Sequence, residues 1–208
     1  MNRVKPDEGD CVFIVDDDAQ MSQSLASLLR SLSYQVEVFN TAQGFLDRIA
    51  AGLSGCLLLD VRLPGISGLE IQRRLAEAQQ SIPIIFLTGH GDIQMAVSAM
   101  KGGAIEFLSK PFREQQLIDS VAEAMAQARL AEDVRLIRSS YLREVALLSA
   151  KEREVLDDLS SGLQIKEIAT KRGVSTSTVR VHRRNIKLKV KAVNLSKFVL
   201  LHSKYGQA

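Results

Sequence analysis

Six polar side chains follow short apolar runs in this 208-residue chain: Asp16, Asp17 and Asp18 after 11–15, Asp60 after 56–59, Thr88 after 84–87, and Lys110 just beyond 105–108. A single Asp in such a place is usually a turn former or a helix cap. Six polar residues so placed over four runs call for another reading. Carboxylates brought to one place repel one another and resist ionisation unless a cation joins them. An all-oxygen donor set with few protein ligands suits Mg²⁺, which keeps several of its waters. A carboxylate beside such an ion can attack a phosphoryl donor, because the metal neutralises charge on the phosphoryl oxygens and the transfer needs chiefly positioning and electrostatics. Lys110 would add a point charge to the phosphate and the Thr88 hydroxyl a hydrogen bond. The product is an acyl phosphate on Asp60.

For these residues to meet, the runs must be strands of one sheet. The runs 11–15, 36–39, 56–59, 84–87 and 105–108 alternate with segments of helical period at 21–32, 41–51, 68–78, 94–100 and from 113 onward. Continuous apolar strands alternating with helices predict a parallel sheet covered on both faces. We expect an α/β flavodoxin-like (βα)5 fold with strand order 2-1-3-4-5, whose ligands bind at the carboxyl ends of the strands. All six polar residues fall at that edge.

The four prolines lie at or before Pro111, so nothing beyond forbids helix and the remainder is expected to be all-α. An apolar series at steps of three and four runs through Leu117, Val121, Ala124, Ala128, Ala131, Val134, Ile137, Tyr141, Val145 and Leu148. It predicts that the last helix of the α/β part runs on into a long helical linker. Its seam fits a dimer contact and packing on the chain's own domains equally well. Residues 1–128 carry 10 Lys and Arg against 16 Asp and Glu, a balance of −6, whereas 129–208 carry 17 against 8, a balance of +9. A basic, compact C-terminal part is the electrostatic footprint of a phosphate-backbone binder, although solubility accounts for some of it.

Within that part, Ser149 and Glu152 form a capping box opening a helix over 151–159, and Gly162 breaks the chain after it. A second helix over Ile165–Arg172 ends at Gly173, and Ser175 caps a third running from about 176 to 190. Two short helices about a tight glycine turn predict a helix-turn-helix whose second helix reads DNA. On the third helix Val179, Ile186 and Val190 share one face, while Arg180, Arg184, Lys187 and Lys191 form a basic stripe. One face packs and the other meets phosphate and groove. A final helix over 195–202 carries Leu195, Phe198, Val199 and Leu201, which suit a dimer contact or core packing alike.

Val15-Asp16-Asp17, Asp60 with Pro64-Gly65 and Gly68, Thr88-Gly89 and Lys110-Pro111-Phe112, in that order, resemble the signature of the receiver domain of two-component systems. The resemblance implies that Asp60 is the phosphoacceptor and that Asp16 and Asp17 organise Mg²⁺ with the backbone carbonyl of Arg62. It also implies that Asp18 caps a helix, that Gly89 leaves room for the phosphoryl group, and that the Lys110–Pro111 bond is cis. Thr88 would move toward the phosphate while Phe107 turns inward. Many members carry Tyr in place of Phe107, so here the switch would act through packing alone, and a plain core Phe is the competing reading.

Leu148-Ser149 with Glu152, Glu154-Val155-Leu156, Gly162, Lys166-Glu167-Ile168-Ala169, Val174-Ser175, Thr178-Val179-Arg180, His182-Arg183 and Ile186 resemble the LuxR-type DNA-binding domain. By that resemblance Arg180, Val181 and Arg184 face base edges, with Lys166, Thr176, Thr178 and Lys189 near phosphates. Val190 stands where leucine is more usual. Arg reads guanine bidentately, but no base sequence follows from this alone.

A receiver followed by a LuxR-type domain is similar to the FixJ/NarL class of response regulators, and Asp60-Val61-Arg62-Leu63-Pro64-Gly65 leans toward FixJ. The expected organisation is receiver 1–125, helical linker 126–147 and DNA-binding domain 148–208. The expected function is a DNA-binding transcriptional regulator switched by aspartyl phosphorylation from a sensor histidine kinase. It would be no enzyme beyond self-phosphorylation and slow autodephosphorylation. Phosphorylated chains would form a homodimer on double-stranded promoter DNA of two-fold symmetry, with RNA polymerase a further candidate partner.

Two other classes share parts of this pattern. Asp16-x-Asp18 is similar to the nucleophile motif of haloacid-dehalogenase-like phosphatases, which would make Asp16 the covalent residue, but this leaves Asp60 and the C-terminal part without a use. A receiver whose helical output binds RNA or protein is opposed by the density of LuxR-like residues. Cys11 and Cys56 form no disulfide or metal pattern, and no stretch approaches the roughly 18 apolar residues of a membrane span. Met1 to Asp10 is too charged for a secretory signal, so the expectation is a cytoplasmic protein without a membrane segment.

Overall fold

The computed structural model describes residues 11–49, 53–89, 93–190 and 194–206. Lys191 of the basic stripe, positions 50 and 51 of the expected second helix and the charged N-terminus 1–10 lie outside the described residues. The chain divides after Glu132 into two compact units.

The first unit carries β1 (Cys11–Val15), α1 (Ala19–Ser31), β2 (Gln35–Phe39), α2 (Ala42–Ile49), β3 (Gly55–Asp60), α3 (Gly68–Glu77), β4 (Ile84–Thr88), α4 (Ile93–Lys101), β5 (Glu106–Ser109) and the start of α5 (Glu114–Ala146). The strands are parallel in the order β2-β1-β3-β4-β5, as the alternation of apolar runs and helical periods predicts. Successive side chains of a strand feed opposite layers. Phe13, Val15, Leu57, Leu59 and Phe86 pack with Phe45, Ile71, Leu75 and Ala99 of α2, α3 and α4. Val12, Ile14, Cys56, Leu58, Ile85 and Leu87 pack with Leu25, Ala26 and Leu29 of α1 and Leu117, Val121 and Ala124 of α5. Burial on both faces is why β1, β3 and β4 read as continuous apolar runs. β3 enters beside β1 through Gly55, whose φ is +128° and where a Cβ would stand 1.8 Å from the Cys11 carbonyl oxygen. Both cysteines are buried and free, and burial together with the Glu37 carboxylate pushes the Cys11 thiol up to about 11.

The apolar series along α5 divides into three stretches. Leu117, Val121 and Ala124 are buried in the first unit and Tyr141 and Leu148 in the second, whereas Ala131, Val134 and Ile137 are exposed. Thus part of the stretch expected as linker contributes core to the second unit.

That unit continues with α6 (Ala150–Ser160), α7 (Ile165–Arg172), α8 (Thr176–Lys189) and α9 (Leu195–Tyr205). The Ser149–Glu152 capping box opens α6, Gly173 ends α7 in the left-handed region at φ 63°, and Ser175 caps α8. Val179, Ile186 and Val190 lie in the core as their shared face predicts, and Leu195 and Phe198 of α9 join them. His202 is buried with both ring nitrogens engaged, Nδ1 with the Tyr141 hydroxyl at 2.6 Å and Nε2 with Asp157 Oδ1 at 2.6 Å.

Tyr141→Phe leaves one nitrogen of a buried imidazole without its partner. It should lower unfolding free energy by about 1–3 kcal/mol. Leu142→Ala, at an exposed neighbour, should change it by less than about 0.5 kcal/mol. Urea unfolding of both variants checks the contrast.

Candidate functional site

The ends of β1 and β3 bring together the residues expected to share chemistry. One carboxylate oxygen from each of Asp16, Asp17 and Asp60 lies within 4.8 Å of the others, with Asp16 and Asp60 buried and Asp17 exposed. Lys110, beyond β5, donates from Nζ to Asp16 Oδ2 at 2.6 Å and to Asp60 Oδ2 at 3.3 Å. The backbone N–H of Arg62 donates to Asp60 Oδ1 at 3.2 Å, and that of Asp18 to Asp16 Oδ1 at 2.9 Å. Asp18 itself caps α1, accepting from the N–H groups of Gln20 and Met21 at 3.0 Å each, which matches its expected role.

Local geometry explains why Asp60 stands where it does. α3 begins directly behind it, and a Cβ on Gly68 would come within 2.3 Å of the Asp60 carbonyl oxygen. Only glycine allows that approach. Thr88 ends β4 fully buried, and open space surrounds the Cβ direction of Gly89. The Lys110–Pro111 bond is cis, as expected. Phe107 is half-buried beside Phe86, ring centroids 6.3 Å apart.

The electrostatics follow from this crowding. Burial raises the Asp60 pKa, the Asp16 carboxylate adds to the rise, and the Arg62 N–H and Lys110 oppose it. Burial works against the Lys110 charge, but the Asp16 and Asp60 carboxylates outweigh it and the pKa rises. Three hard oxygen donors around a partly buried edge fit a small divalent cation such as Mg²⁺.

In the second unit the expected DNA-facing residues Lys166, Thr176, Arg180, Val181 and Arg184 are exposed, and Thr178 is half-exposed. Thr178 also donates its N–H to Ser175 Oγ at 3.1 Å. Lys189 is tied down: its Nζ donates to Glu152 Oε2 at 2.6 Å, the oxygen that also accepts the Ser149 N–H at 2.8 Å. Glu152 is buried and burial opposes its charge, yet Lys189 and Ser149 hold its pKa below the usual carboxylate range.

The ionic framework that holds these helices escaped sequence reasoning. Buried Asp158 accepts from Arg172 Nε at 2.6 Å and from Lys171 Nζ at 2.7 Å, and Arg172 also bonds the Glu154 carboxylate and its carbonyl. The separations of 13, 14 and 18 residues carry no local signal.

Two family patterns match this chain. The one described as "Response regulator receiver domain" covers residues 12–122, and the one described as "Bacterial regulatory proteins, luxR family" covers residues 146–202. The chain belongs to the FixJ/NarL-type response regulators. This response regulator is 40% identical over 195 residues to the transcriptional regulatory protein FixJ of Bradyrhizobium diazoefficiens, covering 94% of this chain and 95% of that one. It is 41% identical over 208 residues to the transcriptional regulatory protein TdiR of Thauera aromatica, covering 99% and 92%. Among solved structures it is similar to the response regulator StyR, with TM-score 0.82, 41% identity and coverage of 95% and 100%. Full-length FixJ from B. japonicum gives TM-score 0.58 at 39% identity, covering 96% and 98%. Among the described residues of this response regulator, no helix is long and apolar enough to cross a membrane.

Hydrogen bonds from Arg172, against the effect of burial and with help from Lys171, hold the Asp158 pKa low. Stability from a depressed carboxylate is present above its unfolded pKa of about 3.9 and is lost as pH falls through the lower folded value. Asp158→Asn should therefore cost about 1–3 kcal/mol at pH 7. The gap to wild type should narrow as pH falls below the unfolded value of about 3.9. Urea unfolding of the two proteins across that range tests it.

Proposed function

We propose that phosphorylation of Asp60 by a sensor histidine kinase switches this response regulator into a DNA-binding homodimer that controls transcription. The observation that carries the reading is the Lys110 ammonium held between Asp16 and Asp60, with Asp17 in the same carboxylate group. An oxygen of Asp60 attacks phosphorus, the bond to the donor breaks, and an acyl phosphate results. Mg²⁺, held by Asp16, Asp17, Asp60 and the Arg62 carbonyl, would neutralise charge on the phosphoryl oxygens. Lys110 already faces Asp60 and pairs with the phosphoryl group, and Thr88 follows it. Slow hydrolysis of the same bond resets the protein, with no other catalysis assigned.

The added charge shifts a pre-existing equilibrium of the receiver, and Phe107 repacks as Thr88 moves. Lacking a hydroxyl, Phe107 contributes by shape alone. Paired chains then present two copies of α8 to a two-fold promoter site, with Arg180, Val181 and Arg184 toward base edges. Lys166, Thr176, Thr178 and Lys189 serve phosphates, Lys189 keeping donors beyond the one given to Glu152. Such a regulator works in the cytoplasm with receiver 1–125, linker 126–147 and DNA-binding domain 148–208. RNA polymerase is the candidate partner once promoter DNA is bound.

Wild type and Asp60→Asn incubated with Mg²⁺ and a small acyl phosphate should differ completely. Wild type should gain acid-stable, base-labile phosphate and pass from monomer to dimer by mass per particle, and the variant should do neither. Equal labelling of both would move the acceptor elsewhere. Phosphate mapped to Asp16 would restore the phosphatase reading.

A further inference from the structure

We propose that Asn40 and Ser22 are positioning residues for the divalent cation: together they pin the peptide that joins Asp16 to Asp17 and so hold both carboxylates toward one point. This rests on the Mg²⁺ reading above and adds to it two side chains that act only through another residue. The oxygen of that peptide is the Asp16 carbonyl. Asn40, in the turn after β2, donates to it from Nδ2 at 3.2 Å, and the buried Ser22 of α1 donates to it from Oγ at 3.2 Å.

The end of the sheet explains why this carbonyl is served by side chains. The register of β1 and β2 ends at Val15 and Phe39, and one further backbone bond runs from the Asp16 N–H to the Phe39 carbonyl at 3.2 Å. In a continuing parallel ladder the next donor would be the N–H of residue 41. The chain instead turns into α2, where Thr41 Oγ1 accepts the Gly44 N–H at 3.2 Å. Asp16 is fully buried, and a buried carbonyl left without a donor is costly. An Asn in a turn ordinarily bonds its neighbouring backbone, whereas Asn40 reaches a residue 24 positions away.

The pinned peptide joins two of the three carboxylates. Asp16 is also held at its side chain, Oδ1 by the Asp18 N–H at 2.9 Å and Oδ2 by Lys110 Nζ at 2.6 Å. Asp17 is exposed, so its direction depends on the backbone before it. Any change in ψ of Asp16 displaces the carbonyl oxygen and swings Asp17 relative to Asp16. Carboxylate oxygens within 4.8 Å of one another repel and favour such a swing, which the two donors resist. Partners that orient ligands in this way set the affinity for the metal.

The test uses the full chain and Mn²⁺, which shares the oxygen preference of Mg²⁺ and whose free concentration is read from its paramagnetic resonance signal. Asn40→Leu, at an exposed position, keeps the size and loses the donor. It should raise the Mn²⁺ dissociation constant about 10-fold, and its combination with Ser22→Ala should raise it by up to about 100-fold. In phosphorylation by a small acyl phosphate, the Mg²⁺ concentration giving half the maximal rate should rise by the same factors, while the rate at saturating Mg²⁺ stays that of wild type. Thr41→Ala removes the neighbouring cap of α2 without touching Asp16 and should bind Mn²⁺ as wild type does.

Unchanged Mn²⁺ affinity in Asn40→Leu overturns the proposal, as does an equal loss in Thr41→Ala, which would make the effect a general loosening of the turn. A lower saturated rate with Mn²⁺ affinity intact also overturns it, since the residues would then act on phosphoryl transfer. Wild type that binds no Mn²⁺ would remove the Mg²⁺ reading itself, a result separate from failure of the two donors alone.

Discussion

The ammonium of Lys110 stands between two buried carboxylates, Asp16 and Asp60, that would otherwise meet without a counter-charge. Removing one partner of such a buried set leaves an uncompensated charge, which is far more costly than the net worth of the pair. The fold of the first unit can be understood as what holds this arrangement. Asp16, Asp60 and Lys110 lie 44 and 50 residues apart in sequence and meet only because β1 and β3 are neighbours and β5 ends at the same edge. The close approach of α3 at Gly68 holds the end of β3, and the Asp18 N–H, from the turn before α1, donates to Asp16. With Asp60 raised and Lys110 raised, burial sets the tension and the ion contacts contain it.

The second unit sorts its positive charge by a different rule. Arg172, Lys171 and Lys189 meet buried or nearly buried carboxylates and tie α7 and α8 to α6. The pairs are long-range, and they make the unit more than a stack of capped helices. The cations on the outer side of α8 have no such partners among the described residues, so the net basic charge of the C-terminal part is concentrated where a polyanion can reach it.

Much of this was legible in the sequence because the strands of a two-sided parallel sheet are continuous apolar runs and the helix ends carry explicit caps. Asp18, Ser149, Ser175 and Gly173 each do locally what their residue types predict. The carboxylate group was legible for a topological reason: any residue following a strand in this order lies at one edge. The ion pairs of Asp158 and Glu152 were not legible, since nothing within a helical turn reveals a partner 13 to 37 residues away. The apolar series of α5 shows a second limit. Val134 and Ile137 follow the same spacing as Leu117 and Val121, yet the first pair is exposed and the second buried. Periodicity identifies a face, and only tertiary packing decides whether that face is covered.

The physical opening for a switch lies in α4. Of its nine residues only Ala99 is buried, Met95 packs partly against the core, and Ile93, Val97 and Met100 are exposed. Helices with so few buried apolar contacts open and shift at lower cost than the rest of a domain. A single buried amide strengthens the hold: Gln72 of α3 donates from Nε2 to the Ala99 carbonyl at 3.0 Å, and Gly102 leaves the space that the amide fills, since a Cβ there would stand 2.6 Å from Gln72 Oε1. α4 packs beside β5, which carries Phe107 and leads into Lys110. The charged edge therefore sits beside the least anchored helix of the sheet, while α1, α3 and α5 bury several side chains each. A change in the carboxylate group therefore has fewer buried apolar contacts to disturb at α4 than at α1, α3 or α5.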